Sequence, residues 1–363
     1  MASPQPPQPA AEPRTDPKNR INPVIQGSGG AKFSQVAVVG AGAFGTVLTN
    51  LLAENQVAVT LWGRDPQQMQ TLRQTRHNPR YLMDLSLHPN AGVTHDPADL
   101  ADADLWVSAV PTQATRDVWE RLRDHLHAGV PVVTVAKGME NGTGLLPAGV
   151  LEDVLPPGHR VAALSGPSVA QELAQRLPAT LTAATPDATL ARRLQQTFHS
   201  SWFRVYTHPD RLGVELAGAL KNVIALAAGI LDGLGLGINA KSALLARGLA
   251  EITRLGRAMG AQADTFAGVT GVGDLATTCF SSSGRNRSAG ERLGRGDSLA
   301  AALEASRGVV EGVPTARVAL ELAEIHRVEM PICQAVAAVL FDGLPPRDAV
   351  QRLMTRDLKP EQA

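Results

Sequence analysis

Lys221-Asn222 interrupts a run, Gly213 to Gly229, that is otherwise small or aliphatic apart from Glu215. A cation in such company has two readings. It belongs to a polar stripe on a surface helix with Glu215 and Asn222, or it has lost water, which lowers its pKa and suits it to proton transfer. Both stay open on these residues alone. A second lysine, Lys137, follows the apolar run Val132-Val133-Thr134-Val135-Ala136 and precedes Gly138. There it could neutralise a phosphate or a developing oxyanion. Asp274 and Thr278 are four residues apart within Gly271 to Cys279, so on a helix they share a face, although Asp there is also a ready cap. Ser281-Ser282-Ser283-Gly284-Arg285-Asn286-Arg287 reads as a flexible cationic loop, its guanidiniums suited to bidentate phosphate contact. Ser165-Gly166-Pro167-Ser168-Val169-Ala170 offers backbone donors and a hydroxyl ahead of a helix expected over Val169 to Gln175.

The clearest positional signal lies earlier. Val36-Ala37-Val38-Val39 is a short run fit for a buried strand, and Gly40-Ala41-Gly42-Ala43-Phe44-Gly45 follows before a helix expected over Thr46 to Glu54. In that setting Gly40 permits the turn, Gly42 admits a pyrophosphate, Gly45 lets helix and strand close, and the helix start offers free N–H groups. The next strand, Val57 to Trp62, ends in Gly63-Arg64-Asp65. An acidic residue near that point selects NAD through the ribose 2′-OH, whereas Arg64 suits the 2′-phosphate. NADPH/NADP is therefore the preferred cofactor, with NADH/NAD as the alternative through Asp65.

These groups need a frame. Val93-Thr94, Leu105 to Pro111, Val132 to Gly138 and Val161 to Leu164 look like successive strands or strand ends, and Arg116 to Leu126 has helical patterning between two of them. The alternation predicts an α/β, doubly wound, mostly parallel sheet with ligands at its carboxyl edge. After Phe203 to Tyr206 the chain reads as helices with Gly-containing breaks. We expect a tail over 1–31, rich in Pro, Gln and Ser, a dinucleotide-binding domain over 32–207, a helical domain over 208–356, and a short tail over 357–363. Lys221 then lies in the first helix of the second domain, near the cleft between the two.

Bulk composition sets limits. Lys plus Arg and Asp plus Glu both number 34, so no basic excess points to nucleic acid or an anionic membrane. With 44% hydrophobic and 19% charged residues the composition is that of a globular protein. Cys279 and Cys333 form no ligand pattern, and the histidines show no HExxH or related spacing, so no metal site is expected. No uninterrupted apolar run long enough to span a bilayer is apparent, because the best candidate contains Lys221 and Asn222.

Taken together, GAGAFGT, LWGRD, AKGME, SGPSVAQE, LKNVIALAAG, GVGDLATTC, GRNR and VVEG, in that order from about Val36 to Leu353, resemble the NAD(P)-dependent glycerol-3-phosphate dehydrogenases. These are soluble enzymes that interconvert dihydroxyacetone phosphate and sn-glycerol 3-phosphate, and the bacterial, phospholipid-supplying branch is the nearer. The resemblance implies an N-terminal Rossmann domain, a helical C-terminal domain, a homodimer and a cytoplasmic setting. Matched position by position, it makes Lys221 the proton-transfer lysine, Lys137 a lysine near cofactor and substrate, and Asp274 their acidic partner. It places Gly166, Ser168, Asn222 and Thr278 at substrate positions, with Arg285 and Asn286 as the phosphate-binding pair. Gly40, Gly42, Ala43, Phe44, Gly45, Arg64, Tyr81, Ala170, Arg285, Val309 and Glu311 fall at cofactor positions. Ala43 and Phe44 stand where bacterial members commonly carry Ser and Trp or Tyr, a loss of one hydrogen bond worth roughly 1 kcal/mol. Gly284 stands at a substrate position where many carry Ser, which removes a side-chain contact there. A related dehydrogenase of hydroxyacids, or a dinucleotide-binding redox sensor, would share the first half of this pattern.

Overall fold

The computed structural model describes residues 30–361 except 307 and 359, so the expected tail up to residue 29 lies outside the described residues. Eight strands make one sheet: β1 (Gln35–Val39), β2 (Ala58–Trp62), β3 (Gly92–Thr94), β4 (Leu105–Ser108), β5 (Val132–Thr134), β6 (Val161–Ser165), β7 (Ala179–Ala184) and β8 (Phe203–His208). Their spatial order is β3-β2-β1-β4-β5-β6-β7-β8, and all neighbours are parallel except β6 and β7. The order reverses between β1 and β4, which leaves a crevice at their carboxyl ends. Six helices belong to this half: α1 (Ala43–Glu54), α2 (Pro66–Thr75), α3 (Thr115–Leu122), α4 (Pro147–Val154), α5 (Ala170–Ala174) and α6 (Ala188–Phe198).

Strand periodicity explains the layers. Val36 and Val38 of β1 enter one apolar cluster with Leu48, Leu51 and Leu52 of α1 and Leu194 and Phe198 of α6. Ala37 and Val39 point the other way, into a cluster with Trp119 and Leu122 of α3 and Leu151 of α4. Both faces are covered, so the strands carry apolar residues continuously. The helix expected over Arg116 to Leu126 ends at Leu122 and continues as a 3₁₀ turn over Arg123–His125.

The remaining helices follow β8: α7 (Arg211–Gly233), α8 (Gly237–Ala258), α9 (Ala263–Ala267), α10 (Asp274–Phe280), α11 (Arg285–Gly294), α12 (Leu299–Glu304), α13 (Gly312–Ile325), α14 (Pro331–Phe341) and α15 (Pro346–Met354). Asp210 starts α7 by accepting from the Gly213 N–H at 2.9 Å. Helix α7 is the axis of this half and packs against α8, α10, α11, α13 and α14. By length and composition alone it could cross a membrane, but Lys221 and Asn222 interrupt it and its apolar window is wholly buried inside the fold. Its closest partner is α11. A Cβ on Gly229 would overlap the Arg287 carbonyl oxygen, and one on Gly290 would overlap that of Leu226, so only glycine permits this backbone contact. The polar stripe read from the sequence is no surface stripe: Glu215, Lys221 and Asn222 are 6%, 6% and 5% exposed. Both cysteines are free and buried, as packing residues.

Candidate active site

Lys221 is carried in the middle of α7 and Lys137 on the loop after β5, and both reach the same carboxylate. Asp274 Oδ1 lies 2.8 Å from Lys221 Nζ, and Oδ2 lies 2.8 Å from Lys137 Nζ. Asp274 is 1% exposed. It occupies the first position of α10, directly after a turn of π-helix over Val269–Gly273, and its side chain turns to the lysines instead of capping the helix. Lys221 also donates to Thr278 Oγ1, and that hydroxyl donates to the Asp274 carbonyl at 2.7 Å. Lys137 donates to the Gly166 carbonyl at 2.7 Å and to Ser168 Oγ at 3.2 Å. Gly218 lets α7 come this close to the sheet, since a Cβ there would sit 3.1 Å from Ser165 Oγ and 3.5 Å from Lys137 Cγ.

Two ammonium groups on one carboxylate leave the cluster with one positive charge in a site with little water. Burial pulls the Lys137 ammonium down to about 8; the Asp274 charge opposes this fall and the nearby Lys221 charge adds to it. The cluster can therefore hold a proton on one nitrogen and offer positive potential from the other to an oxygen gaining negative charge.

A chain of amides ties the site to the rest of the helical half. Asn222 Nδ2 donates to the Lys137 carbonyl at 3.0 Å, Asn286 Nδ2 donates to Asn222 Oδ1 at 2.9 Å, and the Gly312 N–H donates to Asn286 Oδ1 at 2.9 Å. The expected loop ends sooner than the sequence implies: Arg285, Asn286 and Arg287 form the first turn of α11, after Gly284 as its cap position. Asn286 is buried, whereas Arg285 stays exposed against the turn at Gly308. Glu311, just before α13, accepts from the Thr112 N–H at 3.0 Å and so links that helix to the segment after β4. Burial raises its carboxyl above the usual range.

The glycine loop at the end of β1 fits a dinucleotide. Gly40 has φ +117, and a Cβ there would meet the Ala109 carbonyl oxygen at 2.6 Å, so the tight turn demands glycine. In front of Gly42, a Cβ would meet nothing within 4 Å, and α1 begins there without a side-chain cap. Its first N–H groups thus face open space at the sheet's switch point, as a pyrophosphate requires. Ala43 and Phe44 open α1, and Gly45 packs against Gly40. At the end of β2, Asp65 accepts from Gln67 and Gln68 N–H groups and pairs with Arg80, while Arg64 is exposed. These contacts hold the Asp65 carboxyl below its usual range.

Of the residues expected at the site, the structure gathers Lys137, Lys221, Asp274, Thr278, Gly166, Ser168, Asn222 and Asn286 in direct contact. Among the described residues, the contacts join none of Arg64, Tyr81, Ala170 or Val309 to that cluster. Two residues passed unnoticed in the sequence. Asn78, fully buried, donates to the Ala41 carbonyl and to Thr46 Oγ1 and accepts from the Arg80 and Tyr81 N–H groups, pinning that segment to the glycine loop. Gln113 braces the loop after Lys137 by donating to the Met139 carbonyl and accepting from the Asn141 N–H. Neither stands in a motif, and only tertiary contacts reveal them.

The fold and the lysine–carboxylate cluster define a class: a dinucleotide-binding sheet joined to a helical half, with a cationic site where they meet. Comparison with known proteins narrows it. Residues 35–191 match the NAD-dependent glycerol-3-phosphate dehydrogenase N-terminus, and residues 210–351 match the C-terminus of the same family. The chain is 47% identical over 332 residues to glycerol-3-phosphate dehydrogenase [NAD(P)+] 1 of Salinibacter ruber, covering 91% of this chain and 97% of that one. It is 45% identical to the glycerol-3-phosphate dehydrogenase [NAD(P)+] of Thermobifida fusca, covering 91% and 99%. The crystal structure of glycerol-3-phosphate dehydrogenase from Coxiella burnetii superimposes with a TM-score of 0.85 at 34% identity, over 89% of this chain and 99% of that one. The chain belongs to the NAD-dependent glycerol-3-phosphate dehydrogenase family.

Proposed function

We propose that this protein reduces dihydroxyacetone phosphate to sn-glycerol 3-phosphate, and runs the reverse reaction, with Lys221 as the group that gives and takes the proton. The observation that carries this reading is the sharing of Asp274 by Lys221 and Lys137 beside α7. A bound reduced nicotinamide supplies the hydride. Lys221, as ammonium, donates a proton to the carbonyl oxygen as charge grows there, and as neutral amine accepts it in the other direction. Lys137 stabilises the same oxygen electrostatically. Asp274 orients both nitrogens and opposes the fall that burial imposes on Lys137. Arg285 and Asn286 grip the substrate phosphate and fix the carbonyl for reaction, with Gly166, Ser168, Asn222, Thr278 and Gly284 lining the same site. The glycine loop, Arg64, Tyr81, Ala170, Val309 and Glu311 hold the cofactor.

Asp65 is already engaged by α2 and Arg80, and this supports NADPH over NADH, with Arg64 meeting the 2′-phosphate. The division into domains at 32–207 and 208–356 belongs to the same proposal, supported by the change to helices after β8, while a homodimer, a cytoplasmic setting and a supply role in glycerophospholipid synthesis rest on the family resemblance. The test is the oxidation of NADPH and NADH with dihydroxyacetone phosphate against a panel of 2-keto acids. Oxidation driven by dihydroxyacetone phosphate, faster with NADPH, is expected. Turnover of keto acids alone would refute the substrate assignment.

A further inference from the structure

A second carboxylate, this one on α7, also pairs with two cations, and none of the roles above uses it. Asp232, in the last turn of α7, pairs through Oδ1 with Lys241 of α8. Through Oδ2 it accepts from Arg287 of α11 at 2.6 Å. The side chains of Lys241 and Arg287 are only 10% and 15% exposed. Glu291, one turn further along α11, lies 3.8 Å from Arg287 but is paired with Arg295 on its other oxygen. A simple staple between helices needs one cation for one carboxylate. Glu291 offsets part of the second charge, and taking such groups out of water costs stability, so what the cluster gives in return is a fixed geometry.

The location says what is held. Arg287 stands in the first turn of α11, next to Asn286 and two residues after Arg285. Its carbonyl lies against Gly229, so the backbone contact and the Asp232 ion pair together fix α11 against α7. Lys241 Nζ lies 5.4 Å from the ring centre of Phe280, the last residue of α10, where Ser281 to Gly284 begins. The cluster therefore ties together the two helix ends that flank the Arg285-Asn286 pair. Both cations also lie near enough to Cys279, the neighbour of Thr278, to lower its thiol pKa against the rise that burial imposes.

We propose that Asp232, Lys241 and Arg287 form a positioning cluster for the phosphate monoester of the substrate. They hold the first turn of α11 where Arg285 and Asn286 meet the phosphate. This rests on the function proposed above. The experiment compares wild type with Arg287→Met, Arg287→Lys, Lys241→Met and Phe280→Ala, the last an exposed residue whose loss leaves both ion pairs intact. The readouts are KM for dihydroxyacetone phosphate, inhibition by inorganic phosphate, KM for NADPH, kcat and melting temperature. Arg287→Met and Lys241→Met should raise the substrate KM and the phosphate inhibition constant together by about tenfold. KM for NADPH should stay put and kcat should change by less than about threefold. Arg287→Lys should restore most of the loss, and Phe280→Ala should weaken phosphate inhibition by about threefold with an unchanged melting temperature. Unchanged phosphate inhibition in Phe280→Ala, or a loss spread equally over both substrates in the Met variants, would overturn the inference. Wild-type protein inert towards dihydroxyacetone phosphate would overturn the parent reading; active wild type with unaltered variants would overturn the cluster alone.

Discussion

Replacing Asp274 by Asn removes one negative charge and almost no volume from between two ammonium groups. Both nitrogens lie 2.8 Å from the carboxylate, on opposite oxygens. Two like charges about 5–6 Å apart across that group repel by about 3 kcal/mol at an effective dielectric of about 20. That is about two pKa units of differential stabilisation. Burial has already brought Lys137 down to about 8, and Asp274 is the group that opposes the fall. In Asp274→Asn the two lysines cannot both stay charged at neutral pH, so either the electrostatic stabiliser or the proton donor is lost. The expected cost is about 100- to 1,000-fold in kcat at pH 7, the range for removing one preorganised donor. The assay is NADPH oxidation with dihydroxyacetone phosphate from pH 5.5 to 9.5. Wild type should lose kcat/KM as pH rises through about 8, where burial brings the Lys137 ammonium in the free enzyme. In the variant that alkaline limb should move to lower pH by at least one unit. A variant within a few-fold of wild type, with the limb unmoved, would show that the shared carboxylate does not govern the charge of the site.

Arg285 is exposed at the first turn of α11, so Arg285→Ala should raise KM for dihydroxyacetone phosphate about 10- to 100-fold, the worth of a charged hydrogen bond, with a smaller change in kcat. Steady-state kinetics with both substrates varied would check it. Glu251 accepts from the Ile332 and Cys333 N–H groups at the start of α14, and burial raises its carboxyl to about 7 from 4.5. The folded form thus holds a proton that the unfolded chain releases. The stability this contributes is present below pH 4.5 and is lost as pH rises through about 7. Melting curves should therefore show Glu251→Gln gaining on wild type between pH 5 and pH 8; a constant difference would contradict this. Gly290→Ala puts a methyl group into the Leu226 carbonyl, where backbone on both sides limits relaxation. Urea unfolding should show a loss at or above the upper end of the ~1–3 kcal/mol typical of overpacking.

The dinucleotide half was readable because its signals are local. A glycine turn between a β-branched strand and a helix is written in consecutive residues, and β1, β2, β4 and β6 follow from apolar runs. The strand β7, Ala-Thr-Leu-Thr-Ala-Ala, was not anticipated. Its small residues carry weak periodicity, and its antiparallel direction comes from how the chain crosses the sheet. Lys221 could not be settled locally because its partner, Asp274, arrives from another helix after a turn of π-helix, and Lys137 arrives from the sheet. On local residues alone Asp274 could equally be a cap, because Asp before a helix often is one, yet two buried cations compete for it more strongly than backbone N–H groups. The Ser-Ser-Ser-Gly run made Arg285-Asn286-Arg287 look like a loop, whereas close glycine packing against α7 draws those residues into the first turn of α11. Asn78, Gln113 and the Asp232 cluster act through tertiary contacts, which a single sequence does not display.

The role of Lys221 carries the whole account, and Lys221→Met tests it with little change in shape. Steady-state oxidation of NADPH with dihydroxyacetone phosphate at pH 7, together with fluorescence titration of NADPH binding, separates chemistry from cofactor affinity. The account predicts a fall in kcat of about 100-fold or more, as for loss of a general acid, with the NADPH dissociation constant unchanged. Turnover within a few-fold of wild type would contradict it.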